Sequence, residues 1–124
     1  MKSAADQEPT YPSSILILGP PGSGKTILTS QLPGCYILNV DNNLSGPIRW
    51  LREQSLSTSF FYDDIHTASE SDTLKAAGIP EAEIPEPVDG LIQVPRKWLF
   101  KHGGYLLEQA IKSDKIETIA IDSW

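Results

Sequence analysis

The 124-residue chain contains a single cysteine, Cys35, so no internal disulfide can form. Cys35 opens an apolar run, where a buried structural thiol is the expected role. No apolar stretch approaches the roughly 20 residues that a membrane helix needs, which leaves no membrane partner to expect. Residues 1–12 are polar and contain proline. They have neither the apolar core of a secretory signal nor an Arg-rich transit pattern, so a cytoplasmic protein with a short flexible N-terminus at 1–12 is expected. Basic charge is also scarce: ten Lys and Arg face sixteen Asp and Glu, for a formal net charge of -6. That is not the footprint of a protein coated for nucleic acid. Eight of the sixteen acids fall in residues 63–90, against one base there, Lys75. The acidity therefore belongs to one segment, and the rest of the chain is near neutral.

What is present fits one soluble domain with a modest core: 40% of residues are hydrophobic and 21% charged. Ile15-Leu16-Ile17-Leu18 reads as a short buried parallel strand that stops at Gly19. The Gly/Pro cluster up to Gly24 is a loop. Ile27, Leu28 and Leu32 then recur at helical spacing until Pro33-Gly34 ends the helix. Cys35 to Val40 is a second strand, ending at Asp41. Ser45-Gly46-Pro47 marks a helix start, with Ser45 as N-cap and Ile48 and Leu51 as the buried stripe. Thr58 to Tyr62 is a weaker strand candidate.

Residues 63–95 form an irregular acidic segment. Pro80, Pro85, Pro87 and Pro95 break any long element, although Ser71 to Ala77 has room for two helical turns closed by Gly78. Arg96 to Lys112 has an amphipathic helical pattern weakened by Gly103-Gly104, at about 1 kcal/mol each relative to Ala. Thr118 to Asp122 is a strand that ends in an acid. Strands alternating with helices predict an α/β fold over residues 13–124, a parallel β-sheet with helices on both faces.

The residues that carry chemistry begin at Gly19-Pro20-Pro21-Gly22-Ser23-Gly24-Lys25-Thr26, which meets the pattern G-x-x-x-x-G-K-[ST]. Gly22 and Gly24 can take backbone angles that other residues avoid, so consecutive N–H groups can turn inward around an anion. The loop runs into a helix N-terminus, whose free N–H groups favour negative charge. Lys25 would set an ammonium between the β- and γ-phosphates, and the Thr26 hydroxyl would be a Mg²⁺ ligand. A Gly-rich turn without a ligand is the plainer alternative. At average residue usage, however, about one chain in a hundred of this length matches by chance, and here the match also lies between a predicted strand and a predicted helix.

Asp122 alone would be an ordinary acid at a strand end. Paired with the phosphate loop it fits the Walker B pattern, an acid that holds Mg²⁺, usually through water, beside the Thr26 hydroxyl. Asp41 ends the preceding strand and should open onto the same sheet edge, where ligands of such sheets lie. It either orients the attacking water, binds Mg²⁺ through water, or merely caps Asn42-Asn43. His66 and His102 have no acid or Cys at metal-ligand spacing and read as surface or loop histidines. Trp50 and Trp98 read as packing residues. Arg49 and Arg52 are either arginine fingers or, more plainly, solvated helix charges.

Gly19 to Thr26, the strand ending at Asp41, and Ile119-Ala120-Ile121-Asp122-Ser123 together resemble the RecA/RadA-like P-loop NTPases. The nearest resemblance is to phage nucleotide-binding proteins with an AAA-type ATPase core, some of which act in single-strand DNA annealing and recombination. It implies ATP and Mg²⁺ as cofactors, Lys25 and Asp41 as catalytic groups, single-stranded DNA as a partner through regions outside this chain, and a homo-oligomer in the full-length protein. The family often has a catalytic Glu just after the second strand, where this chain has Asn43. RecA-like folds also set a later strand between the Walker A and Walker B strands. That strand would follow Trp124, so the resemblance implies a C-terminally incomplete and poorly stable domain. Two other functions compete. Gly19 to Lys25 also resembles the adenylate kinase loop, which suggests a nucleotide or small-molecule kinase, although Thr26-Ile27 stand where those enzymes have Gly-Thr. Asn43 and the acidic segment suggest a non-hydrolysing nucleotide-binding module.

Overall fold

The computed structural model describes Ser3 and residues 24–40 and 44–122. Apart from Ser3, the expected flexible start lies outside the described residues, as do the strand Ile15–Leu18, Gly19 to Ser23 of the phosphate loop, and Asp41 to Asn43.

Three strands form a parallel sheet in the order β2-β1-β5: β1 is Cys35–Asn39, β2 Phe61–Asp64 and β5 Thr118–Asp122. All five residues of β1 are buried, as expected of a central strand covered on both faces. The alternation of side chains along β1 sorts them between two layers. Tyr36 and Leu38 pack on one face with Ile65, Leu106 and Ala110, the last two on helix α4, Leu99–Lys112. Cys35 and Ile37 pack on the other with Leu44, Phe60, Ala120 and Ile48, the last on helix α2, Ser45–Glu53. Helices therefore cover both faces, and the architecture is α/β. Ile37, wholly inaccessible, anchors the second layer; burying such a side chain contributes about 1.5–3 kcal/mol.

Local details differ from the expected pattern in small ways. Ser45 is the first residue of α2 rather than its cap, and the preceding Leu44 is buried in the core. The edge strand β2 begins three residues later than the apolar pattern suggests. Gly103 sits inside α4 because the helix lies close on the sheet: a Cβ there would come 3.0 Å from Ile65 Cγ2 and 3.9 Å from Leu38 Cδ2. Arg96–Trp98 is a 3₁₀ turn that leads into α4.

Residues 65–98 hold only short elements, as the proline spacing requires. Strand β3, Thr67–Ala68, pairs antiparallel with β4, Ile92–Gln93, and α3 spans Ser71–Ala76. They enclose their own apolar cluster of Ala68, Leu74, Ile79, Ile92 and Val94, with Trp98 and Leu99 against it. Leu99 also touches the cluster beneath α4, which joins the two cores. Among the described residues, no helix is long and apolar enough to cross a membrane.

Candidate functional site

Helix α1, Lys25–Ser30, starts at Gly24, whose φ of 90° is left-handed backbone that a side chain would strain. The carbonyl of Gly24 accepts the N–H of Leu28 at 2.9 Å, so the glycine is tied into the first turn. That turn carries Lys25 and Thr26. The chain leaves α1 through Pro33-Gly34 and enters β1. Gly34 then fixes the start of β5: its carbonyl accepts the N–H groups of Glu117 (2.9 Å) and Thr118 (3.2 Å), and the Thr118 hydroxyl donates to the Pro33 carbonyl at 2.9 Å.

With both ends of this unit fixed, the carboxyl ends of the strands fall in line. Asn39 is in register with Asp64 on one side and Asp122 on the other. Neighbouring strands are about 4.8 Å apart, so the three polar side chains form a row on the edge where ligands of parallel sheets lie. At one end of the row, the Thr26 hydroxyl donates to Asp122 Oδ2 at 2.7 Å, across 96 residues of sequence. At the other, the buried Asn39 amide donates to Asp64 Oδ1. One residue earlier on β2, Asp63 accepts the Tyr36 hydroxyl at 2.9 Å. Burial first, then the Asp63 hydrogen bond and charge, push the Tyr36 phenol well above its usual range. Burial likewise raises the Cys35 thiol, in keeping with a structural role.

Thr26 and Asp122, two residues expected to share a metal, are thus in direct contact, and Lys25 precedes Thr26 in the same turn. Gly19, Pro20, Pro21, Gly22, Ser23 and Asp41 lie outside the described residues. Among the described residues, no three His, Cys, Asp or Glu side chains cluster as a metal set. Mg²⁺ does not require one: it keeps several waters and takes one or two protein oxygens plus phosphates. A hydroxyl and a carboxylate in contact are an all-oxygen donor set of that kind.

Two cavities open beside the sheet, and among the described residues neither is lined by Lys25, Thr26 or Asp122. The smaller, about 380 Å³, is lined by Asp63, Asp64, Thr67, Thr73 and His102 among others, with no Lys or Arg among its described lining. The larger, about 690 Å³, lies between α2 and the ends of β1 and β2.

No family model, curated protein or solved structure matches the chain.

Three residues escaped the sequence reading. Asn39 and Asp64 gave no motif, since the link between them depends on a parallel pairing of β1 with β2. His102 is a correction: it is not a surface residue but lies 1% exposed within α4, with Nδ1 2.8 Å from the Ile65 carbonyl. A carbonyl oxygen only accepts, so Nδ1 carries the proton. The signal was present, because His102 stands three residues after Leu99 and four before Leu106, on the helix's buried stripe. His66 sits between β2 and β3, its Nε2 2.6 Å from the Val40 carbonyl. Trp98 packs as expected, whereas Trp50 is 42% exposed.

Proposed function

We propose that this chain is the nucleotide-binding part of a P-loop NTPase that takes ATP with Mg²⁺. One observation carries the reading: the 2.7 Å contact between the Thr26 hydroxyl and Asp122 Oδ2. The phosphate-loop pattern and the acid-ended strand lie 96 residues apart in sequence, and a shared metal requires them to meet. A Gly-rich turn without a ligand and an ordinary strand-end acid have no reason to do so. The order of strands adds support, since β5 is parallel to β1 and ends level with it.

In this reading the backbone N–H groups of Gly19 to Gly24 and the Lys25 ammonium hold the β- and γ-phosphates. The Thr26 hydroxyl oxygen would offer a lone pair to Mg²⁺ while its O–H donates to the Asp122 carboxylate, which keeps the hydroxyl oriented. Mg²⁺ held there would supply charge neutralisation at the phosphate oxygens. Asp41 is the candidate carboxylate for the attacking water. The RecA-like resemblance makes the activity ATP hydrolysis in phage or bacterial DNA recombination and annealing, with single-stranded DNA as partner in a homo-oligomer of the full-length protein.

The test is equilibrium binding of Mg-ATP and Mg-GTP to the purified chain beside Lys25→Ala. ATP should bind, and Lys25→Ala should weaken it by at least about tenfold, the loss of one hydrogen bond to a charged group. Hydrolysis is then measured with and without single-stranded DNA. A folded chain that binds neither nucleotide would refute the reading.

A further inference from the structure

The larger cavity has walls of opposite character. On one side, Ser45, Arg49 and Arg52 follow one another at i, i+4 and i+7 along α2 and form a single stripe. Both arginines are exposed. Neither makes an ion pair or hydrogen bond among the described residues, although Glu53 and Asp64 line the same cavity. On the other side, Asp64 is held by the Asn39 amide, and the half-exposed ring of Tyr62 forms a flat apolar surface beside it. The volume of about 690 Å³ lies within the usual range for a small-molecule site. The cavity also opens at the carboxyl ends of two parallel strands, where such sheets bind ligands.

Unpaired guanidinium groups with a planar fork of donors are suited to phosphate oxygens. A carboxylate in the opposite wall would repel a bare anion but accepts an amino group, as acids do from the N4 amine of cytosine. An exposed aromatic ring offers a face on which a base stacks. A ligand that is anionic at one end and an amino-bearing aromatic ring at the other satisfies both walls at once, and inorganic phosphate does not. We propose that this cavity binds a nucleotide unit, its phosphate on Arg49 and Arg52 and its base against Tyr62 and Asp64, at a site separate from the Lys25 loop. The unit can come from a free mononucleotide or from a single-stranded nucleic acid.

The experiment titrates the full chain with cytidine 5′-monophosphate, inorganic phosphate and a short single-stranded oligodeoxycytidylate. The proteins compared are the wild type, Arg49→Ala, Arg52→Ala and Lys25→Ala, with folding checked by circular dichroism. Both arginines are exposed and make no described contact, so their removal should leave the fold intact. The monophosphate should bind, each arginine variant should weaken it by about tenfold, and Lys25→Ala should leave it unchanged. An oligonucleotide that binds much more tightly than the monophosphate through the same arginines identifies a strand as the source; equal affinity per site identifies the free nucleotide. Four results would overturn the proposal: no monophosphate binding, no effect of either arginine, inorganic phosphate binding as well as the nucleotide, or loss of monophosphate binding in Lys25→Ala. The last would mean that the ligand sits in the phosphate loop. Failure of Mg-ATP binding alone would refute the reading of the loop and leave this site standing.

Discussion

The parallel sheet and the unit at residues 65–98 are built in opposite ways. In the sheet, side chains far apart in sequence meet through polar contacts: Thr26 with Asp122, Asn39 with Asp64, Tyr36 with Asp63. In the 65–98 unit, the interior is a closed apolar cluster around Leu74 and Ile92. Its charges lie outside, in exposed pairs such as Lys75 with Glu81 and Lys97 with Glu83, which contribute at most about 1 kcal/mol each. Polar groups are costly to gather at a partly buried edge unless each has a partner, and their concentration at one end of the sheet is where the proposed chemistry would lie. Beyond Asp63 and Asp64, which belong to β2, the acids of the 63–95 segment gather no comparable set among the described residues.

Substitution at the centre of each core should separate the two regions most sharply. Ile37→Ala opens a cavity against α2 and the sheet and should cost about 2–5 kcal/mol, seen as a large drop in the denaturation midpoint together with loss of Mg-ATP binding. Leu74→Ala removes an equally buried side chain and should cost a similar amount. Its effect on hydrogen exchange should concentrate in residues 65–98, with Mg-ATP affinity changed by less than about twofold. If Leu74→Ala abolishes nucleotide binding as Ile37→Ala does, the two regions are one cooperative unit and the contrast fails.

A smaller effect is expected at Gly34, the point that fixes β5 beside β1. Its φ is +51°, and a Cβ would come 2.9 Å from the Glu117 nitrogen. Gly34→Ala should cost about 1–2 kcal/mol from the left-handed backbone alone, measurable by urea denaturation, and should loosen Asp122 relative to Thr26. The smallest effect is alkaline. The Tyr36 phenol is raised in the folded chain by burial and by Asp63, so it stays neutral where the unfolded chain ionises. Its contribution is complete below the ordinary phenol value of about 10 and is lost as pH rises beyond it toward the folded value. The fall in stability between pH 9 and 11 should therefore be shallower in Tyr36→Phe than in the wild type.

The residues also explain what could be seen in the sequence. The strand Thr118–Asp122 was legible to the residue because an apolar run stops at an acid, and β1 because a Pro-Gly break precedes it. α3 was legible from the Ser71 to Ala77 spacing and Gly78. β3 and β4, at two residues each, are too short to show any period. β2 was misjudged by a few residues because it is an edge strand with Phe61 and Tyr62 about half exposed, so burial does not shape its pattern. Thr26 and Asp122 were singled out because Thr26 lies in the phosphate-loop pattern and Asp122 ends an apolar strand that could be paired with it. Asn39 and Asp64 were missed because their relation exists only across the sheet.

The central claim is most directly tested by measuring ATP affinity as a function of Mg²⁺ concentration in the wild type, Thr26→Ala and Asp122→Asn. If the hydroxyl–carboxylate pair holds the metal beside the phosphates, Mg²⁺ should tighten ATP binding in the wild type, and each substitution should remove most of that gain while leaving metal-free ATP binding nearly unchanged. Wild-type ATP binding that is indifferent to Mg²⁺, or a Mg²⁺ response that survives both substitutions in folded protein, would contradict it.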